Sequence, residues 1–135
     1  MTFRIDKKET IKIGKRKVIE SKNGNFLTVF EDDKKTGYFY AVDISQGGMD
    51  IKDALHVYNV KDVMDRKKPS EIAVAWSANG TKSILFINDY PHAVVDFEKK
   101  RAYCKTGFPP SDGRNGWSPN GHAWDQDDYD KITSR

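Results

Sequence analysis

The sequence predicts a mainly β domain: an antiparallel meander forming a sandwich or curled sheet, with room for one short helix and a long C-terminal coil. Three observations carry the prediction. Apolar and polar residues alternate with a period of two through most of residues 25–105, as strands with one buried face require. Short runs of Gly, Asn, Asp and Lys punctuate that alternation. Residues 106–135 lose the alternation and are rich in Gly, Pro, Asn and Asp.

The elements follow in order. Residues 1–24 form a basic segment whose Thr10 to Val18 stretch suits an edge strand. Asn25 to Glu31 and Tyr38 to Asp43 are β-rich runs joined by the turn residues Asp32 to Gly37, which together predict a hairpin. After Ser45-Gln46-Gly47-Gly48, the run Ala54 to Val60 reads as strand by its β-branched and aromatic content. A short helix over Ile51 to Val63 is the alternative. Ser70 to Trp76 is the next strand, and Asn79-Gly80 tolerates the positive φ that a tight turn demands. Ser83 to Asn88 is apolar on both faces and reads as a central strand. His92 to Phe97 and Ala102 to Lys105 complete a seven-strand meander. Residues 106–135 read as an aromatic and acidic coil anchored by Trp117 and Trp124, and the whole of 1–135 as a single domain.

Composition narrows the class. The 135 residues include 37% apolar and 12% aromatic side chains, enough for a core without a metal or disulfide staple. The lone Cys104 admits no internal disulfide. No apolar stretch follows the early lysines, and the longest apolar run, Ile84 to Ile87, is far shorter than the ~20 residues that span a bilayer. The reading is a cytoplasmic protein without a membrane partner. Net charge is +3, with eight basic and three acidic residues in 1–24 against three and five in 111–135. A basic N-terminal segment raises nucleic-acid binding, but lysine is also the ordinary solubilising residue of strands and tails, which argues against it.

Trp76-Ser77-Ala78-Asn79-Gly80 recurs as Trp117-Ser118-Pro119-Asn120-Gly121, 41 residues later. The phrase resembles a turn of TolB-like β-propellers, yet 135 residues cannot supply about four blades of some 40. It reads as one turn used twice. Phe30 to Asp43 (FEDDKKTGYFYAVD), Asp53 to Val60 (DALHVYNV), Ala75 to Pro110 with its YPHAVVDF and CKTGFPP segments, and His122-Ala123-Trp124-Asp125 are more distinctive. From Phe26 onward these resemble an uncharacterised bacterial family, a domain of unknown function. The resemblance implies a bacterial origin and a compact domain, and no activity.

Candidate chemistry is sparse. Cys104 needs a base such as His92 to act as a nucleophile. A four-residue loop over Glu98 to Arg101 instead places it with Ala93, Val95, Phe97 and Ala102 on an apolar face, where a thiol is inert packing. The opposite face carries His92, Asp96, Tyr103 and Lys105, with Asp96 and Tyr103 directly cross-strand. An acid, a base and a phenol there suit proton transfer, and equally suit a plain solvated sheet face. Asp125, Asp127, Asp128 and Asp130 fail the calcium-loop pattern, since position 6 is Asp130 where Gly is needed. His56, His92, His122 and Cys104 lack zinc spacing, and no phosphate-binding glycine loop or nucleophile elbow occurs, so no metal or cofactor is expected.

The functional expectation is a non-catalytic protein-binding module, of which a toxin-neutralising (immunity-type) role is one instance. Its expected contact residues are Trp117, Trp124 and Phe108, because Trp and Tyr are enriched at binding surfaces. The alternatives are a small-molecule enzyme using His92, Asp96 and Tyr103, and nucleic-acid binding through the basic N-terminal segment. The sequence leaves the oligomeric state open.

Overall fold

In a computed structural model, which describes residues 2–134, the chain forms two antiparallel sheets packed face to face. Met1 and Arg135 lie outside the described residues. The strands are β1 (Phe3–Ile11), β2 (Lys17–Asn23), β3 (Phe26–Asp32), β4 (Thr36–Asp43), β5 (Asp50–Asn59), β6 (Ser70–Ser77), β7 (Lys82–Ile87), β8 (Tyr90–Asp96) and β9 (Arg101–Cys104). One sheet has the order β1-β6-β7-β8-β9 and the other β2-β3-β4-β5. A single helix, α1 (Gln126–Thr133), closes the described chain.

The sandwich and the hairpins match the sequence expectation. β7, apolar on both faces, is the middle strand of its sheet. Two local expectations are corrected, and the choice between strand and helix after Ile51 falls to strand, as preferred. Thr10 to Val18 is not one strand: residues 12–16 turn, with Gly14 at φ 90° and Arg16 at φ 64°, so β1 and β2 enter different sheets. The stretch from Ile51 is strand, and only Val60–Asp62 makes a 3₁₀ turn. The short helix lies instead in the expected coil. Its signal was present: Asp125 accepts a hydrogen bond from the Asp128 N–H (2.9 Å) as N-cap, Asp127 and Asp128 occupy the first turn, and Lys131 the last. The acidic cluster is a helix start.

Alternation along each strand sends one set of side chains into the space between the sheets. Phe30, Phe39 and Leu55 are directly paired across β3, β4 and β5, and all are fully buried against Ile72, Val74, Leu85 and Val95 of the other sheet. Each such side chain contributes about 1.5–3 kcal/mol when removed from water. The repeated Trp-Ser-x-Asn-Gly phrase forms the same turn twice, since Gly80 N–H donates to the Ser77 carbonyl (2.8 Å) and Gly121 N–H to the Ser118 carbonyl (3.1 Å). Both tryptophans then pack on one ring: Phe97 lies 5.9 Å from Trp76 and 5.6 Å from Trp117, with Phe26 stacked on it at 4.3 Å. Trp76 also ties the sheets together, donating from Nε1 to Ser21 Oγ (2.8 Å), which donates to Asp6 (2.6 Å).

Residues 105–125 run back over the β5 and β9 edges as a strap. His56 N–H donates to the Phe108 carbonyl (2.8 Å), and Cys104 bridges Ala123 in parallel. The strap delivers α1 to the outer face of the five-stranded sheet, where Ile132, Trp124 and Tyr129 cover Ile84, Val94 and Tyr103.

Candidate docking face

The β8–β9 hairpin decides the fate of the His92, Asp96 and Tyr103 group. Asp96 pairs with Arg101 and Val94 with Tyr103, so the loop is 97–100 and the register is shifted by two residues from the expected one. A two-residue slip conserves side-chain faces. Cys104 is accordingly buried beside Ala93, Val95 and Ala102, as expected. Asp96 and Tyr103, however, are not opposite each other. Asp96 Oδ1 accepts from the N–H groups of Glu98 and Lys99 (both 3.0 Å), and Oδ2 faces Lys82 Nζ at 3.7 Å. Tyr103 donates its hydroxyl to Asp128 (2.7 Å); burial, then that bond, push its phenol far up, so it keeps its proton. His92 is four residues from Asp96, about 13 Å along the strand. Burial first, then the Lys105 charge, hold its imidazole below the ordinary value. The face read from sequence as a polar patch is thus covered by α1, with Asp96 and Tyr103 fully buried.

The aromatic tail divides. Trp117 is only 4% exposed and belongs to the main core. Trp124 stands edge-on over Tyr103 (5.2 Å), under the Lys105 ammonium (4.0 Å). Both tryptophans peg the strap. Phe108 alone of the three is open, at 59%.

Sequence spacing gave no hint that Ser118, Asp53 and His122 meet. Asp53 accepts from Ser118 Oγ and lies 2.7 Å from His122 Nε2, while His122 Nδ1 meets the Pro109 carbonyl. Burial pulls the His122 imidazolium down, but its hydrogen bond to Asp53, the Asp53 charge and the Pro109 carbonyl outweigh this and raise its pKa. The carboxylate sits between hydroxyl and imidazole, which is the wrong order for a base-activated serine. All three side chains are buried. They act as a strut that pins the strap to β5.

The outer face of the four-stranded sheet carries no such cover from α1. Its apolar cluster of Leu27, Val29 and Val42 is buried among its own neighbours, flanked by the half-buried Tyr40 and Ile44. Tyr38 and Tyr40, two apart on β4, stack at 5.7 Å, and His56 of β5 meets Tyr38 edge-on at 5.1 Å. Val18 (51% exposed) and Ile51 (57%) lie at its two margins, and Phe108 extends it past β5. The sequence carries little signal for this face: Tyr38-Phe39-Tyr40 alternates, and only the inward Phe39 is buried in the core.

No solved structure matches the chain. A Haemophilus influenzae protein described as uncharacterised is 39% identical over 94 residues, covering 70% of this chain and 58% of that relative's own length. The chain therefore spans less than two thirds of that relative. Residues 11–133 match a family described as "Uncharacterized protein conserved in bacteria (DUF2251)", a stretch that takes in β2 to β9, the strap and α1, and it is to this bacterial family that the chain belongs.

Proposed function

We propose that this protein is a non-catalytic binding domain of the bacterial cytoplasm that docks another protein on the outer face of β2-β3-β4-β5, with toxin neutralisation as one form of that role. One observation carries the reading: α1 covers the outer face of one sheet, while the other presents a half-buried tyrosine stack flanked by the solvent-exposed Val18, Ile51 and Phe108. Tyrosine rings on a rigid strand supply contact area at small entropic cost, which suits a docking face. Among the described residues no helix is long and apolar enough to cross a membrane.

The test is affinity capture from the native host, with the partner identified by mass spectrometry and then titrated in purified form. The Tyr38→Ala/Phe108→Ala variant is expected to lose the partner, and Trp124→Ala, altered on the covered face, to retain it. Undiminished binding by the Tyr38→Ala/Phe108→Ala variant would overturn the proposal.

A further inference from the structure

Three connections meet at one end of the sandwich: the β1–β2 turn (12–16), the β3–β4 turn (33–35) and the β5–β6 connection (60–69). They carry nine basic and three acidic side chains, an excess larger than the net +3 of the whole chain. The remainder of the molecule is therefore net acidic. Among the described residues, none of these nine cations is within ion-pair distance of a carboxylate. Two of the three acids are turned inward on their own loops. Asp33 accepts from the Lys35 and Thr36 N–H groups (2.9 and 2.8 Å), and Asp62 from Asn59 Nδ2 (3.2 Å).

This end is a fixed structure, held by the fully buried Asp32. Its carboxylate accepts from Gly14 N–H (2.7 Å) in the first connection, Lys34 N–H (2.9 Å) in the second and the Tyr58 hydroxyl (2.6 Å) just before the third. Val60 N–H donates to the Lys35 carbonyl (2.8 Å), and Arg66 donates to the Val60 carbonyl (3.2 Å). A Cβ on Gly14 would come within 2.9 Å of Val60, so the first turn packs directly on the third connection. Each connection also holds one non-glycine residue in the left-handed region: Arg16 (φ 64°), Lys34 (φ 83°) and Asp65 (φ 56°). Such residues cost of order 1–3 kcal/mol each and persist where their surroundings hold them.

Two adjoining grooves result, with Val60 and Arg66 shared between them. The larger, about 440 Å³, has Lys34, Lys35, Lys61 and Arg66 on its walls and Thr36 and Asn59 as neutral hydrogen-bonding groups. The second, about 390 Å³, adds Lys12, Lys15 and Lys67. The volumes lie within the range of small-ligand sites. Four cations around one such space call for several negative charges on one compact group. Carboxylates on a folded protein surface are spaced one to a side chain, whereas linked phosphates concentrate charge and accept from Lys and Arg together. No aromatic ring lines either groove, so base stacking has no platform.

We infer that this basic end is a binding site for closely spaced phosphate groups, carried either by a free polyphosphate-bearing small molecule or by a nucleic-acid backbone. It is separate from the docking face and does not depend on it.

The experiment titrates inorganic triphosphate into the full chain by calorimetry between about 50 and 200 mM salt. Binding is expected, and Lys35→Ala/Arg66→Ala is expected to weaken it by about tenfold or more, since both lose charge-assisted contacts. Lys7→Ala/Lys8→Ala on the exposed β1 edge removes the same charge and is expected to change it less than about twofold. Circular dichroism checks each fold, and Lys35→Gln/Lys61→Gln provides a second groove variant. A DNA duplex that displaces triphosphate assigns the site to a nucleic-acid backbone; triphosphate binding without such displacement assigns it to a free polyphosphate. No binding of triphosphate, equal losses in the groove and β1 variants, or a glutamate-rich peptide binding as tightly as triphosphate would each overturn the inference.

Discussion

The outer faces of the two sheets begin from similar material and end differently. Each presents aliphatic and aromatic residues on alternating positions: Ile84, Val94 and Tyr103 on one, Leu27, Val29, Val42 and Tyr40 on the other. On the five-stranded sheet these are buried under α1. On the four-stranded sheet Leu27, Val29 and Val42 are buried only by neighbouring side chains, the tyrosines stack half-buried, and the margins Val18 and Ile51 stay in solvent. The difference lies in where the strap leads. Pinned to β5 by His122 and Asp53 and to β9 by Cys104, it can deliver α1 only to the β9 side. A sheet face becomes core or surface according to what the rest of the chain lays over it.

The largest effect is expected where the strap is pinned. His122→Ala leaves the Asp53 carboxylate buried without its counter-charge and should cost about 3–5 kcal/mol in urea unfolding. The same pair predicts a pH dependence. Because the folded His122 pKa is raised, the pair's stabilisation is complete below the ordinary value of 6.5 and is lost as pH rises through the higher folded value. Unfolding free energy measured across that interval should fall in the native protein, and the fall should be absent from His122→Ala.

Next comes the cover itself. Ile132→Ala removes the aliphatic contact of α1 with the sheet and should cost about 2–4 kcal/mol, with increased binding of a hydrophobic dye. Asp125→Ala removes the N-cap and should cost about 1 kcal/mol, together with its half-buried Arg101 contact. Smallest is the open face: Tyr38→Ala should stay within about 1 kcal/mol of the native protein in the same unfolding experiment. A loss from Tyr38→Ala equal to that from Ile132→Ala would show that the open face is a structural layer and would erase the contrast between the sheets.

Much of the fold was legible because strands announce themselves locally. The period of two, the turn residues and the doubly apolar β7 all reflect interactions within a few residues or between adjacent strands. Helix α1 was read as coil although its cap stood in the sequence: Asp125 and Asp128 occupy the cap and third positions, but acidic side chains at a helix start look like an acidic cluster until the cap hydrogen bond is seen. The candidate site was less legible. Trp117 and Trp124 carry a composition common to binding surfaces and to core pegs alike, and nothing in their spacing separates the two.

By itself, the sequence determined the seven strands β3 to β9, that Cys104 faces inward, and that one turn is used twice. These follow from side-chain alternation and local backbone preference, which survive a two-residue slip of register. Tertiary structure alone decided that β1 joins β6 to β9 in one sheet while β2 to β5 form the other, that Asp53 meets His122 across 69 residues, and that three basic loops converge at one end. It also decided which outer face α1 covers. Those outcomes depend on contacts between segments remote in the chain, and local periodicity carries no record of which remote segment arrives.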